Sequence, residues 1–342
     1  MISRRAHDLQ NGSGQFPVYL AEHFSRVSAP SDGLSYIPFC VAENKLMFDT
    51  IQEKLQQAKF TEEHTGYHDM IGTPKLRELM AKLLEKRVCK VPVSADELVL
   101  SNGCGTTLEQ LFWAICDAGE EVMIPAPYYA GFEMDLCKRD QLSLLTCDTS
   151  ADDGFRLDIE RIKETYANAS KKPSAFLLTS PYNPVGRVLA EEEVRDLVRW
   201  VLLETPMHLV SDEIYALSVY DEEAEFVSSA AIVQQEIAQG SMSHEVWQRV
   251  HITYGMSKDM CLSGYRVGVL FTRNAAVRQA IAGTLCLSLR ADMLCLQRQC
   301  ILARHRWCRR GTLRVLLVRR RLSRCLLAGV GRQTACQGEA SR

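Results

Sequence analysis

Between residues 96 and 272 the chain repeats one pattern, a short apolar, β-rich run followed by a longer polar stretch. The runs fall at residues 97–100, 121–124, 142–146, 175–179, 208–210, 250–254 and 267–271. Two of the intervening stretches, 108–117 and 191–204, space their apolar residues as amphipathic helices do. Strands alternating with helices argue for a mainly parallel sheet with helices on both faces. The expected fold is therefore α/β, with seven strands, mostly parallel. In such sheets ligands bind beyond the carboxyl ends of the strands.

The residues at those ends are chemically unusual. After Leu100 come Ser101-Asn102-Gly103-Cys104-Gly105-Thr106, leading into a helix whose first N–H groups and positive dipole end suit a phosphate. After Ile124 come Pro125-Ala126-Pro127-Tyr128-Tyr129, where Tyr129 is placed to stack on a flat ring. After Thr179 come Ser180-Pro181-Tyr182-Asn183-Pro184-Val185-Gly186, with Asn183 offering an amide. After Val210 come Ser211-Asp212-Glu213-Ile214-Tyr215, an acid and a phenol. Asp212 there suits a protonated pyridine nitrogen.

The fifth end is the stretch Tyr254-Gly255-Met256-Ser257-Lys258-Asp259, continuing to Gly264-Tyr265-Arg266-Val267-Gly268. A lysine that must form a Schiff base needs a tight turn at a strand end, partly desolvated so that its amine can lose a proton. An arginine eight residues on, between glycines, presents a fork that matches phosphate. Any one of these residues alone is better read as a turn, cap or core residue. Together, five strand ends supply the parts for one cofactor.

Outside the repeat the chain says less. Residues 1–35 contain Asn11-Gly12-Ser13-Gly14 and Pro30-Ser31-Asp32-Gly33 and read as an arm or loop. Helices are expected from Asp49 to about Lys59 and from Pro74 through Leu84, the second capped by Thr73. Between them lies a loop with Tyr67 after Gly66. No run of about 18 apolar residues marks a membrane span, and no secretory signal is read at the N-terminus. The 13 cysteines lack C-x-x-C pairs, which argues against a zinc site and a disulfide framework and for a cytoplasmic location.

These motifs, with Ala42-Glu43-Asn44-Lys45-Leu46, resemble the fold-type I pyridoxal-phosphate enzymes of the class I/II aminotransferase superfamily. The nearest resemblance is to the 1-aminocyclopropane-1-carboxylate (ACC) synthase-like group, over roughly residues 35–290. The resemblance implies an aspartate aminotransferase-like fold and pyridoxal 5′-phosphate as cofactor. It implies that Lys258 carries the cofactor and later moves the substrate α-proton. Asp212 would pair with the ring nitrogen, Asn183 and Tyr215 with the ring oxygen, and Tyr129 with the ring face. Arg266, Ser257 and the turn Cys104, Gly105 and Thr106 would hold the phosphate. Tyr67 would reach the phosphate of a second copy across a homodimer, and Glu43 would lie near the substrate, an amino acid or S-adenosylmethionine.

The chain also departs from that pattern. Gly255 stands where the family usually has a phosphate-binding serine, at a cost on the order of 1–3 kcal/mol if the phosphate is buried. Residues 286–342 hold thirteen arginines, no lysine and only two acids, Asp292 and Glu339, with six of the cysteines. Such an abrupt change marks a boundary. It resembles the product of an altered reading frame or a mis-spliced exon more than a nucleic-acid or membrane segment. The expected organisation is an arm and part of a small domain over 1–48, a large cofactor domain over 49–285, and the divergent tail. The family's C-terminal arginine, which grips the substrate carboxylate, has no counterpart. Transamination and γ-elimination of S-adenosylmethionine to ACC both remain open. So does a catalytically impaired homologue that keeps the fold and acts through dimerisation.

Overall fold

A sheet covered on both faces must send alternate side chains into two separate cores, and the seven strands of this chain do so. The computed structural model describes residues 7, 18–28, 41–59 and 61–288. The turn-rich pieces at 11–14 and 30–33 and the arginine-rich stretch from 289 onward lie outside the described residues. In chain order the main elements are α1 (Val18–Ser28), α2 (Phe48–Gln56), α3 (Pro74–Leu83), β1 (Leu98–Ser101), α4 (Cys104–Ile115), β2 (Glu121–Ala126) and β3 (Ser143–Asp148). They continue with α5 (Ile159–Asn168), β4 (Ala175–Thr179), α6 (Glu191–Glu204), β5 (His208–Asp212), α7 (Ser229–Ala238), β6 (Val250–Gly255), β7 (Gly268–Thr272) and α8 (Ala275–Ser288).

The sheet order is β1-β7-β6-β5-β4-β2-β3. The pairs β2–β3, β2–β4, β4–β5 and β5–β6 are parallel, and only β7 runs against its neighbours β6 and β1. The reversal has a simple cause. Between β6 and β7 the chain has no crossover helix long enough to carry it back, so β7 returns beside β6 with Gly255 opposite Gly268. Pro125 is tolerated in β2 because β4 pairs only with Val122 and Met123, leaving the proline outside that ladder.

Leu98, Leu100, Met123, Phe176, Leu178, Leu209, Ile252 and Phe271 share a core with Leu76 and Met80 of α3, Leu197 and Val201 of α6 and Ile232 of α7. Their strand neighbours Val99, Val122, Ile124, Leu177, Val210 and Leu270 face the other way, onto Leu108, Leu111 and Phe112 of α4 and Val277 and Ile281 of α8. The apolar runs read from the sequence thus send alternate residues into two layers of helices.

Helix starts follow local chemistry. Thr73 Oγ1 accepts the Leu76 N–H at 3.4 Å ahead of Pro74. Glu193 reaches back to accept the Ala190 N–H at 2.9 Å and the Leu157 N–H at 2.9 Å. The expectation of a loop over 1–35 is corrected at Val18–Ser28, which is helical. The glycine- and proline-rich turn signals lie on either side of that segment, while Glu22 and Arg26 pair at 2.6 Å along it. No helix among the described residues is long and apolar enough to cross a membrane.

Candidate active site

β1, β2, β4, β5 and β6 all end at one edge of the sheet, and a cavity of about 210 Å³ lies there. Of the residues singled out at the strand ends, Cys104, Gly105, Tyr129, Asn183, Asp212, Tyr215, Ser257, Lys258 and Arg266 line it. Residues far apart in the chain reach one place because each follows a strand whose length is set by the shared ladder.

One end of the cavity is built for an anion. Gly103 has a φ of +92°, and a Cβ on it would overlap the Arg266 guanidinium. The arginine therefore lies directly against the first turn of α4, whose leading N–H groups have no partner within the helix. Arg266 itself adopts a left-handed backbone, φ 51°, and Nη1 donates to the Ser263 carbonyl at 3.0 Å. A Cβ at Gly268 would likewise run into the Gly103 backbone, so β7 and the α4 turn touch main chain to main chain.

Another part of the lining carries the acid. Asp212 is 5% exposed at the end of β5. Burial pushes its carboxyl up to about 7, against the hydrogen bonds from Thr253 and the Ile214 N–H. The Thr253 hydroxyl donates to Oδ1 at 3.2 Å. Beside it Asn183 Nδ2 donates to the Tyr215 hydroxyl at 3.0 Å, so amide and phenol converge. Burial, with Asp212 adding to it, raises the Tyr215 phenol. Tyr129 is 46% exposed and meets Phe132 edge to face at 5.3 Å.

Lys258 lines the same cavity. Burial first, and the Arg266 charge second, hold its ammonium below the ordinary lysine range, while Cys104, Asp212 and Glu43 pull the other way. Its Nζ donates to the Ala42 carbonyl at 3.5 Å, which ties the lysine to the segment containing Glu43.

Three residues singled out from the sequence do not line the cavity. Thr106 turns its hydroxyl back to the Asn102 carbonyl at 3.3 Å, leaving only its backbone at the anion end. Glu43 pairs with Lys45 at 3.4 Å. Tyr67 is 86% exposed. Conversely Asp135, Thr179 and Ser263 line the cavity and were not read from the sequence. Asp135 is the most consequential. Its carboxylate lies 2.9 Å from where a Cβ of Gly105 would stand. Burial and then Glu109 push it up to about 6, with Arg266 opposing. Thr179, as the last residue of β4, was open to the strand-end rule. Ser263 lies within the lysine stretch but carries no signal of its own, and Asp135 lies in a connection that carries none. Among the described residues no group of three or more histidines, cysteines and acids could hold a metal ion.

A parallel-rich sheet with a lysine, an aspartate and an arginine–glycine cradle at one edge defines an aminotransferase-like protein. The comparisons agree. The family model for aminotransferase class I and II matches residues 35–285, and the chain belongs to that family. It is 32% identical over 252 residues to a 1-aminocyclopropane-1-carboxylate synthase of Nicotiana tabacum, covering 69% of this chain and 50% of that protein. It is 31% identical over 281 residues to a mouse protein named probable inactive 1-aminocyclopropane-1-carboxylate synthase-like protein 2, covering 78% of this chain and 46% of that one. The chain thus spans about half the length of the curated relatives it matches. Among solved structures, the aspartate aminotransferase of Thermus thermophilus with maleate superposes with a TM-score of 0.70 at 21% identity, over 89% of this chain and 73% of that one. That likeness establishes the aspartate aminotransferase-like fold.

Proposed function

We propose that the chain binds pyridoxal 5′-phosphate at Lys258 and acts at the α-carbon of an amino acid. The observation that carries this reading is the position of Lys258 in one cavity with Asp212, the Asn183–Tyr215 pair and the Arg266 cradle. The donor set fits the cofactor. The buried Asp212 carboxylate accepts from the Thr253 hydroxyl and the Ile214 N–H and would gain a countercharge from a protonated ring nitrogen. Gly103 leaves room for the Arg266 fork beside free helix N–H groups, where a phosphate gains both.

When bound, the cofactor supplies an electron sink for the pair left at the α-carbon. The chain's own residues do the rest. Lys258, its amine held below the usual range, is the nucleophile and the group that takes and returns the α-proton. Asp212 keeps the ring nitrogen protonated, Asn183 and Tyr215 hold the ring oxygen, and Tyr129 covers the ring face. Arg266, Ser257 and the backbone of Cys104, Gly105 and Thr106 anchor the phosphate. Tyr67 of a second copy completes the phosphate site in a homodimer, and Glu43 lies toward the substrate. The location proposed is the cytoplasm.

Two outcomes are open to such a site, transamination and conversion of S-adenosylmethionine to ACC. The similarity to ACC synthases supports the second, and the breadth of the family the first. A second reading is an impaired homologue that keeps the cofactor fold. The mouse relative's name and the missing hydroxyl at Gly255 favour it. Titration of the purified chain with cofactor tests the common step. A visible absorption band that saturates and is lost in Lys258→Ala supports binding, and no band under excess cofactor refutes it. Turnover of several amino acids and of S-adenosylmethionine then separates the chemistries.

A further inference from the structure

We propose that Asp259 is a positioning residue that sets where Lys258 stands relative to Asp212 and Tyr215. The proposal rests on the reading of Lys258 as the cofactor lysine. Asp259 follows Lys258 directly and is 7% exposed. Its Oδ2 accepts the Leu217 N–H at 2.9 Å and the Tyr254 hydroxyl at 3.0 Å, and its Oδ1 accepts the Ser218 hydroxyl at 2.5 Å. Tyr254 lies in β6, just ahead of the lysine turn. Leu217 and Ser218 belong to the turn after β5, the one that begins at Asp212 and holds Tyr215. That turn is itself tied down, with the Ala216 N–H on the Glu213 carbonyl at 3.0 Å and the Ser218 N–H on the Tyr215 carbonyl at 2.9 Å. One carboxylate therefore joins the two turns on which the cofactor-facing groups sit.

The chemistry of the contact is selective. All three partners are donors, and an ionised carboxylate accepts all three. An asparagine of the same shape has one acceptor oxygen instead of two, so at least one of these contacts must reverse, with a hydroxyl accepting from the N–H₂, or be lost. Among the described residues no cation pairs with this carboxylate, and its two oxygens take the three hydrogen bonds. A residue needed only to fill space would not require that arrangement.

The test follows the lysine without cofactor. In the full chain, the pH dependence of modification at Lys258 by trinitrobenzenesulfonate is measured, with Lys258→Ala as the background for other lysines. In Asp259→Asn the turn loosens, Lys258 gains water and loses proximity to Arg266, and its titration midpoint rises by about one pH unit. That is about a tenfold smaller neutral fraction near neutral pH. Ser218→Ala and Tyr254→Phe each remove one donor and move the midpoint part of the way, and they carry the comparison if Asp259→Asn fails to fold. A midpoint unchanged in the folded variants overturns the proposal, because a merely structural role would alter melting temperature and leave the midpoint alone. The cofactor reading fails separately, as absence of the visible band in the unaltered chain.

Discussion

A buried carboxylate is costly to charge, and at Asp212 burial outweighs the hydrogen bonds from Thr253 and the Ile214 N–H and the nearby Lys258 ammonium. Its folded value of about 7 lies above the usual 3.8. Between those values the folded chain keeps a proton that the unfolded chain has lost, so stability falls as pH rises through this window. Glu213, raised to about 8 by burial, and Asp135 and Asp259, each raised to about 6, act in the same sense. Glu193 and Glu236, held below the carboxylate range, act oppositely but only on acidification below it. His208, lowered to about 4, and His251, also lowered by burial, act the other way as pH rises toward 6.5, so the melting temperature of the cofactor-free chain is expected to drop between pH 6.5 and 8. Asp212→Asn removes a destabilisation on the order of 2–4 kcal/mol at pH 8. Calorimetry at the two pH values checks both statements, and equal stability at each contradicts them. At this scale the sequence was a good guide to residues that end strands. Lys258, Asp212, Asn183 and Arg266 were legible because their neighbours announce the turns that hold them. Asp135 was not, because only packing brings its connection against Gly105.

The element that concentrates the site is the connection from β6 to β7. Its ends are pinned by close backbone approach, which explains the glycine at 255. A Cβ there would lie 2.8 Å from the Val267 carbonyl oxygen and 3.0 Å from Cys104 Sγ. Gly255→Ser is accordingly expected to destabilise the chain by roughly 1–3 kcal/mol in urea denaturation, so the family's hydroxyl is not restored by that change alone. Arg266→Lys keeps the charge but loses the fork. Affinity for pyridoxal phosphate should fall at least about tenfold, while affinity for phosphate-free pyridoxal stays level. Equal losses for both ligands would remove Arg266 from the phosphate end. The strands were readable as apolar runs because β1, β4, β5, β6 and β7 are buried along almost their whole length. α7 was missed because four buried residues in a row, Ala230, Ala231, Ile232 and Val233, blur the helical period. α1 was hidden by the turn signals on either side of it.

For the whole molecule, the two helical layers and the sheet place one reactive edge, and the family match spans the residues that build it. The proposed homodimer makes cofactor binding depend on self-association through Tyr67. Affinity for the cofactor should fall on dilution in the unaltered chain and be insensitive to dilution in Tyr67→Ala. Fluorescence titration at several protein concentrations reads this, and dilution-independent affinity in both would place Tyr67 outside the site. An 86% exposed ring carries no local sign of such a role, which is why only the family resemblance pointed to it. The central claim is that Lys258 carries the cofactor. Borohydride reduction of the chain incubated with pyridoxal phosphate, followed by peptide mass mapping, should give one stoichiometric phosphopyridoxyl adduct, at Lys258. An adduct absent there, or spread evenly over exposed lysines, would contradict the account.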